Sequence, residues 1–389
     1  MNNKEIELRK EITQKIKQIF FLRKKNTKFL PGKTWIQYAG GVFDDKEIHA
    51  SVSVLIDGGF GLGKKAEEME KQLTDFLGVK GSILTNSGSS ANFLSIASLM
   101  SSFFPNRLNF GDEVITSACG FPTTINPIVT HGLVPVLLDV NPETYNINVY
   151  DLEKAISSKT RLVMLAHTLG NPNEMDKIVK FCQGHNLLLM EDNCDALGSE
   201  YDNKKTGSFG ILSTQSFYPP HHLTMGEGGA VNYNDARFER ITRSLRDWGR
   251  ACWCRGDEKR TLGSCGARFN YKLAGKPYDH KYIFNQIGYN LKPIEPQAAM
   301  GVEQFKKLPD FTKKRQDNFE RFYKYAKDWE EYFILPKSLP KANPSWFSFP
   351  LTIRDDIKFS RHEIIMFLEE RMIQTRPLFA GNITRQPAY

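Results

Sequence analysis

Between residues 82 and 191, short apolar segments alternate with segments of helical periodicity, and this alternation restricts the fold more than any other feature of the chain. The predicted strands are 82–85, 113–117, 134–140, 161–166 and 187–191. Their apolar runs are continuous, which is typical of parallel strands that helices cover on both faces. The sequence therefore predicts a doubly wound, mostly parallel α/β sheet, with ligands expected at the carboxyl ends of its strands.

The remaining segments divide the chain into three predicted parts. Residues 1–63 form an N-terminal helix followed by a glycine-punctuated, irregular segment. Residues 64–305 form a large α/β domain that carries a polar, irregular insert at 250–289. Residues 306–389 carry a mixture of helix and strand signals, which predicts a smaller C-terminal α+β domain.

Composition excludes several classes of protein. The net charge of +8 suits a small anionic ligand, but the basic residues form no patch interleaved with aromatic residues, which argues against nucleic-acid binding. No apolar run approaches the roughly 18–20 residues that span a bilayer, and the basic N-terminal helix lacks the features of a signal peptide. We therefore expect a cytoplasmic protein without a membrane partner. Its six cysteines would serve in packing, metal binding or redox chemistry rather than in structural disulfides.

Three polar motifs lie near strand ends. The first, NSGSSAN at 86–92, opens a helix directly after a strand, so Gly88 and Ser89 could offer N–H groups and a hydroxyl to a phosphate. A plain serine N-cap is the alternative. The second, EDNCDALG at 191–198, places Asp192 at the end of an apolar strand, where a buried carboxylate needs a partner. A pyridinium nitrogen and a structural salt bridge are both compatible with it.

The third motif, SFYPPHHLTMGEGG at 216–229, lies between two predicted strands and contains the adjacent histidines His221 and His222. By itself it is typical of a hairpin loop with incidental polar residues. The order of the three motifs, however, resembles the fold-type I pyridoxal-phosphate enzymes that act on nucleotide-linked 4-keto sugars. The resemblance covers about residues 60–305 and implies that fold for the large domain.

In the aminotransferases of this family, the fifth residue after the serine of the SF motif is the lysine that binds the cofactor. Counting from Ser216, that position is His221, and no lysine lies between Lys205 and Lys259. A histidine cannot form the Schiff base, but it can move a proton near neutral pH. The substitution resembles the sugar 3-dehydrases of the family, which remove the C3 hydroxyl with pyridoxamine 5′-phosphate.

The resemblance also implies roles for other residues. Asp192 would hold the pyridinium, Asp195 would lie beside the phenolic oxygen of the cofactor, and Tyr218 would shape the catalytic pocket around His221. The further cofactor-binding residues it implies are Gly88 and Ser89 at the phosphate, Ser216 also at the phosphate, Phe121 stacked on the ring, and Asn290, which reaches the cofactor of the neighbouring subunit in a homodimer.

Members of the 3-dehydrase group also carry a [2Fe–2S] cluster, which requires four ligands of thiolate type. The resemblance implies Cys194, Cys252, Cys254 and Cys265 as these ligands. Their intervening gaps are 57, 1 and 10 residues, and the last gap is longer than in the family's pattern because of the segment 256–264. A zinc site or free thiols are the alternatives, whereas Cys119 and Cys182 are expected in the core.

The expected function is therefore C3 deoxygenation of a nucleotide-linked 4-keto-6-deoxy sugar, with CDP as the nucleotide that the resemblance implies. Single electrons would come through the cluster from a separate iron–sulfur or flavin reductase. A cluster-free 3-dehydratase that takes its amine from glutamate is the first alternative, and a non-catalytic or regulatory relative is the second. The resemblance further implies additional residues beyond Tyr389, which concerns the completeness of the C-terminal domain.

Overall fold

We analysed a computed structural model, which describes residues 2–26, 28–252, 254 and 265–389. Its helices are α1 (Asn3–Asn26), α2 (Asp45–Ile56), α3 (Lys64–Leu77), α4 (Gly88–Leu99), α5 (Pro122–Thr130), α6 (Leu152–Ala155), α7 (Met175–Gly184), α8 (Arg237–Arg246), α9 (Glu295–Phe305), α10 (Leu308–Ala326) and α11 (Arg361–Glu369). The strands are β1 (Gly81–Thr85), β2 (Glu113–Ser117), β3 (Val134–Leu138), β4 (Thr160–Ala166), β5 (Leu188–Asp192), β6 (Glu200–Tyr201), β7 (Lys204–Lys205), β8 (Leu212–Ser216), β9 (Gly229–Tyr233), β10 (Tyr271–Leu273), β11 (Lys276–Tyr278), β12 (Phe333–Ile334), β13 (Ala342–Asn343) and β14 (Thr352–Ile353).

The central sheet has seven strands in the order β1-β9-β8-β5-β4-β2-β3. Strands β8, β5, β4, β2 and β3 pair in parallel, and β9 is antiparallel to both of its neighbours. The five strands predicted between 82 and 191 are confirmed, with ends that differ by at most two residues. The carboxyl ends of β5 and β8 therefore lie side by side. The first motif follows β1, and the third motif connects β8 to β9 of the same sheet.

Helices cover both faces of this sheet. Val114 of β2 belongs to a core that includes Leu94 of α4, whereas the next residue, Ile115, packs with Ile178 of α7 on the opposite face. Adjacent residues of one strand are thus both buried, because side chains alternate between two covered faces. This arrangement explains the continuous apolar runs and confirms the predicted α/β architecture.

The N-terminal segment contradicts part of the sequence interpretation. Residues 31–63, predicted to be irregular, contain α2, whose capping box joins Asp44 and Glu47. The buried Glu47 accepts a hydrogen bond from the Gln304 side chain of α9 at 2.7 Å and pairs with Lys307 at 2.6 Å. The segment is therefore helical because its polar groups are satisfied by a part of the chain more than 250 residues away.

The insert at 250–289 also differs from its prediction, because β10 and β11 form an antiparallel hairpin within it. After α9, α10 leads into the C-terminal residues, where Phe333 and Leu335 form a small separate core with Ala326. The division into 1–63, 64–305 and 306–389 remains a prediction. In the described ranges no helix combines the length and apolarity needed to cross a membrane.

Candidate active site

The first motif, NSGSSAN at 86–92, folds as predicted into the start of a helix. Ser87 is the N-cap of α4 and accepts a hydrogen bond from the N–H of Ser90 at 3.0 Å. Among the described residues, no hydrogen bond uses the N–H groups of Gly88 and Ser89, which point out of the first turn of α4. A Cβ atom on Gly88 would lie 2.5 Å from Cβ of Ser216 and 3.0 Å from Sγ of Cys194. Only glycine allows this approach, which brings the first and third motifs together.

Asp192 ends β5 and is almost fully buried. Its Oδ2 atom accepts hydrogen bonds from Nδ2 of Asn92 at 2.8 Å and from Oγ1 of Thr124 at 2.7 Å. The Asn92 amide is held in turn by Oγ1 of Thr214, which donates to its Oδ1 at 2.7 Å. The Oδ1 atom of Asp192 accepts the backbone N–H of Cys194 at 3.2 Å. Three neutral donors, and an Oδ1 atom with spare acceptor capacity, suit an N–H cation better than a structural salt bridge.

Glu191, the residue before Asp192, has a structural role. Both oxygens of the Glu191 carboxylate accept backbone N–H groups, from Gly207, Phe209 and Gly210, each at 2.7 Å. Its Oε1 also lies 3.1 Å from Nε2 of His167. All acceptor positions are therefore used, and Glu191 ties the segment 207–210 to β5.

His221 is held by its backbone surroundings in one tautomer. Its Nδ1 atom lies 2.8 Å from the carbonyl oxygen of Cys194, which can only accept a hydrogen bond, so Nδ1 carries the proton. The lone pair of the neutral ring is then on Nε2. Burial lowers the pKa of His221 to about 4, against smaller opposing effects of the Cys194 carbonyl and of Asp192. The ring is a neutral base above that pH.

Asp195 lies beside this histidine, with Oδ1 3.6 Å from Nδ1 of His221. Burial, followed by the charge of Asp192, raises the pKa of Asp195 to about 7, and Arg315 opposes the rise. Arg315 was missed by the sequence interpretation. Its guanidinium donates to the carbonyl oxygen of His221 at 3.1 Å and to those of Trp346 and Phe347 at 3.2 Å. The side chain thus joins α10 and the segment 346–347 to the turn that carries His221.

His222 occupies a different environment from its neighbour. It is buried, and its Nε2 atom donates to the carbonyl oxygen of Ser345 at 2.6 Å. Its Nδ1 atom has no hydrogen-bond partner among the described residues. His167 is a satisfied strand-end histidine between Glu191 and the N–H of Asn173. Neither His222 nor His167 is hydrogen-bonded to the Cys194 carbonyl oxygen as His221 is.

The other predicted cofactor residues surround this site to different degrees. Ser216 ends β8 and accepts the N–H of Tyr218 at 3.4 Å. Tyr218 is about half exposed, with its ring centroid 6.3 Å from that of His221. Phe121, the N-cap of α5, exposes 51% of its surface and makes an edge contact with Phe379. Asn290 is exposed and bridges to Asp247, so its predicted role in a neighbouring subunit stays a prediction.

Three of the four predicted cluster ligands come together in the insert. The ligand atoms of Cys252, Cys254 and His280 lie within 4.8 Å of one another. Nε2 of His280 is 3.8 Å from Sγ of Cys254 and 3.7 Å from Sγ of Cys265. Burial raises the pKa of Cys252 to about 11 and also raises that of Cys265. Three thiols and an imidazole are a chemically suitable donor set for a metal centre.

Cys194 lies elsewhere in the described structure. Its Sγ atom is 3.9 Å from Oγ1 of Thr214, in the pocket against Gly88. Cys194 lies in a turn after Asp192, because β5 ends at Asp192 and the Cys194 N–H folds back onto the Asp192 carboxylate. The predicted loop 256–264 lies outside the described residues. Cys182 is buried in the core as expected, whereas Cys119 is only half-buried.

Comparison with known proteins supplies the context of this site. A dTDP-4-dehydro-2,6-dideoxy-D-glucose 3-dehydratase of Saccharopolyspora spinosa is 46% identical over 93% of this chain and 78% of its own length. The lipopolysaccharide biosynthesis protein RfbH of Salmonella typhimurium is 41% identical over 98% of this chain and 87% of its own. A structure of GDP-4-keto-6-deoxymannose-3-dehydratase with a trapped PLP–glutamate geminal diamine superposes with a TM-score of 0.79. That structure is 31% identical and covers 90% of this chain and 87% of its own.

These similarities agree with the architecture, which is that of the pyridoxal-phosphate-dependent aminotransferases, fold type I. The residues present also fit the cofactor, since the glycine-lined start of α4 can receive a phosphate and Asp192 a pyridinium nitrogen. The family model of the DegT/DnrJ/EryC1/StrS aminotransferases matches residues 43–389, and the chain belongs to this family.

Proposed function

We propose that the protein removes the C3 hydroxyl of a nucleotide-linked 4-keto-6-deoxyhexose with pyridoxamine 5′-phosphate and a [2Fe–2S] cluster. The observation that carries the proposal is the tautomer of His221. A base whose Nδ1 proton is fixed by the Cys194 carbonyl, and whose Nε2 is free to accept a proton, stands where aminotransferases of the family need a lysine. Without that lysine the amino group is not exchanged through an internal Schiff base.

The cofactor, when bound, supplies an amine that joins the C4 ketone and a pyridinium that accepts electrons. The residues of the chain would do the rest. Asp192 holds the ring nitrogen, Gly88 and Ser89 offer N–H groups to the phosphate, and His221 takes the proton from the C4′ carbon of the cofactor. Asp195 stabilises the protonated imidazole through its carboxylate 3.6 Å away. Phe121 and Tyr218 would face the cofactor ring and the sugar.

The overall reaction requires a reductant. Replacement of the C3 hydroxyl by hydrogen consumes two electrons and two protons and releases one water. A separate iron–sulfur or flavin reductase would deliver the electrons one at a time to a cluster held by Cys252, Cys254 and Cys265. Cys194 is the predicted fourth ligand. The juxtaposition of the three thiols supports this route over the route without a cluster.

The second candidate is a cluster-free 3-dehydratase that receives its amine, and with it the electrons, from glutamate. The related structure with a PLP–glutamate geminal diamine favours it. Its nucleotide is GDP and that of the Saccharopolyspora relative is dTDP, whereas CDP is the nucleotide implied by the sequence resemblance. The nucleotide, the homodimer, the reductase and the cytoplasmic location remain predictions.

Anaerobic reconstitution distinguishes the two routes. The protein is supplied with iron, sulfide and pyridoxamine phosphate, and its visible spectrum and its iron and sulfide content are measured. Deoxygenation of CDP-, dTDP- and GDP-linked 4-keto-6-deoxyhexoses is then followed with a chemical one-electron donor or with glutamate. We expect two irons and two sulfides per chain and turnover that depends on the electron donor. Turnover with glutamate alone by a protein that holds no iron would contradict the cluster route.

A further inference from the structure

His280 is a buried residue beside the cysteines of the insert, and it has no place in the proposed reaction. It is 2% exposed and begins the short 3-10 turn His280–Tyr282 after β11. Its backbone N–H donates to the carbonyl oxygen of Arg268 at 2.9 Å. Arg268 in turn pairs with Asp279 at 2.7 Å, and Asp279 caps the turn by accepting the N–H of Lys281. These contacts fix the backbone from which the imidazole projects.

The imidazole is directed at sulfur atoms. Nε2 lies almost equally far from Sγ of Cys254 and Sγ of Cys265, at 3.8 Å and 3.7 Å. Sγ of Cys252 lies within 4.8 Å of a ring nitrogen of His280. No oxygen acceptor for Nε2 is recorded in the described parts of the chain. One N–H placed between two sulfurs is the geometry of a donor shared by two weak acceptors.

This position has a consequence for a metal centre. A [2Fe–2S] cluster takes two protein ligands on each iron, and the sequence resemblance assigns these places to Cys194, Cys252, Cys254 and Cys265. An N–H group that faces two of the thiolates then stabilises their negative charge. Adding one electron to the cluster increases the negative charge on the sulfurs, so a hydrogen bond to them stabilises the reduced state more than the oxidised state.

We propose that Nε2–H of His280 donates to the thiolate sulfurs of Cys254 and Cys265 and thereby raises the reduction potential of the cluster. This proposal rests on the proposed function, because it requires the cluster. His280 is a positioning residue, since it acts through the thiolates and keeps its proton. In each step one electron arrives from the reductase and the same electron leaves toward the sugar, so no atom is gained or lost at His280.

The test compares His280→Leu, which removes the N–H group, with His280→Gln, which retains one. His185→Leu is the matched control, because His185 is a surface histidine paired with Glu153 and lies outside the insert. Each variant is reconstituted as the cofactor-loaded protein. Its iron and sulfide are counted, and the midpoint potential is determined by anaerobic titration followed by electron paramagnetic resonance.

We expect His280→Leu to keep its cluster and to shift the midpoint potential to a more negative value than in the native protein. His280→Gln should lie between the two, and His185→Leu should match the native protein. A full cluster with an unchanged potential in His280→Leu would overturn the proposal. So would a directly bound nitrogen in the hyperfine spectrum of the native centre, because the imidazole would then be a ligand.

If His280→Leu takes up no iron, the glutamine variant decides. A cluster with a near-native potential in His280→Gln supports the donor role, whereas loss of the cluster from both variants indicates a ligand and overturns it. Failure of the proposed function has a separate signature, namely a native protein that holds no iron and sulfide after reconstitution. That result would remove the basis of both proposals, while failure of the His280 proposal alone leaves the native cluster intact.

Discussion

The Nδ1 atom of His221 lies 2.8 Å from the carbonyl oxygen of Cys194. This hydrogen bond joins the histidine at the position of the family's lysine to the backbone of a cysteine two residues after Asp192, the carboxylate proposed to hold the pyridinium. The base, Asp192 and the predicted fourth cluster ligand are therefore connected through one short turn. A change in the turn at Cys194 would move the His221 ring as well as the Cys194 thiol.

Replacing His221 with asparagine should abolish proton transfer without removing the cofactor site. The amide can still donate to the Cys194 carbonyl, but it offers no basic nitrogen. We expect exchange of the C4′ protons of bound pyridoxamine phosphate with deuterated water to fall by about 100-fold or more. Cofactor binding, followed by its absorbance, should remain near that of the native protein.

His222→Asn is the matched control for this prediction. Its imidazole is buried and donates to the Ser345 carbonyl, so the substitution should lower the free energy of unfolding by about 1–3 kcal/mol. The exchange rate of the folded fraction should be preserved. Native exchange in His221→Asn together with lost exchange in His222→Asn would reverse the assignment, and native exchange in both would remove both histidines from the role of the base.

Serine at Cys252 should separate the two halves of the reaction. The hydroxyl is a poor replacement for a thiolate ligand, so the variant should lose most of its iron and sulfide and its electron-dependent deoxygenation. The C4′ exchange should continue, because His221 and Asp192 are untouched. Cys119→Ser is the control, since Cys119 makes its backbone bridge with Asn382 and lies outside the cysteine group. Deoxygenation that persists in Cys252→Ser would contradict the cluster route.

The strands between 82 and 191 were predictable because many of their buried residues are apolar and consecutive in the sequence. The capped start of α4 was predictable because serine and glycine are adjacent there. The helix α2 has a capping box at Asp44 and Glu47, a local signal that could have identified it. The roles of Arg315 and His280 had no such signal. Arg315 contacts a carbonyl 94 residues away, and His280 contacts a thiol 26 residues away, so folding alone brings these groups together.

Arg315 should matter for turnover more than for substrate binding. Its guanidinium donates to carbonyl oxygens on both the His221 turn and the segment 346–347, and a single ammonium cannot span these acceptors. We expect kcat to fall about 10- to 100-fold in Arg315→Gln with little change in KM, because the base is displaced. Arg315→Lys should recover part of the loss.

Steady-state kinetics with the reconstituted protein checks this prediction. Arg321→Gln is the control on the same helix, because Arg321 is exposed and its loss should leave kcat unchanged. A rise in KM without a change in kcat in Arg315→Gln would show that the residue serves binding instead of the position of His221.

Asp195 and His221 should give opposite pH dependences of stability. The pKa of Asp195 rises from 3.8 to about 7 on folding, because burial and the charge of Asp192 disfavour the carboxylate. The folded state therefore binds this proton more tightly than the unfolded state, and Asp195 lowers stability progressively as the pH rises from about 4 to about 7. The pKa of His221 falls from 6.5 to about 4, so this residue lowers stability as the pH falls through that window.

Urea unfolding of the cofactor-free protein between pH 4 and pH 8 resolves the two contributions. Relative to the native protein, Asp195→Asn should gain stability as the pH rises, by at most about 1.4 kcal/mol per pH unit, and should level off above pH 7. His221→Asn should instead gain relative stability as the pH falls below 6.5. Differences that do not vary with pH would mean that neither group changes its pKa on folding. Because a pyridinium beside Asp192 would offset the negative charge that acts on Asp195, adding the cofactor should weaken the dependence in Asp195→Asn more than that in His221→Asn.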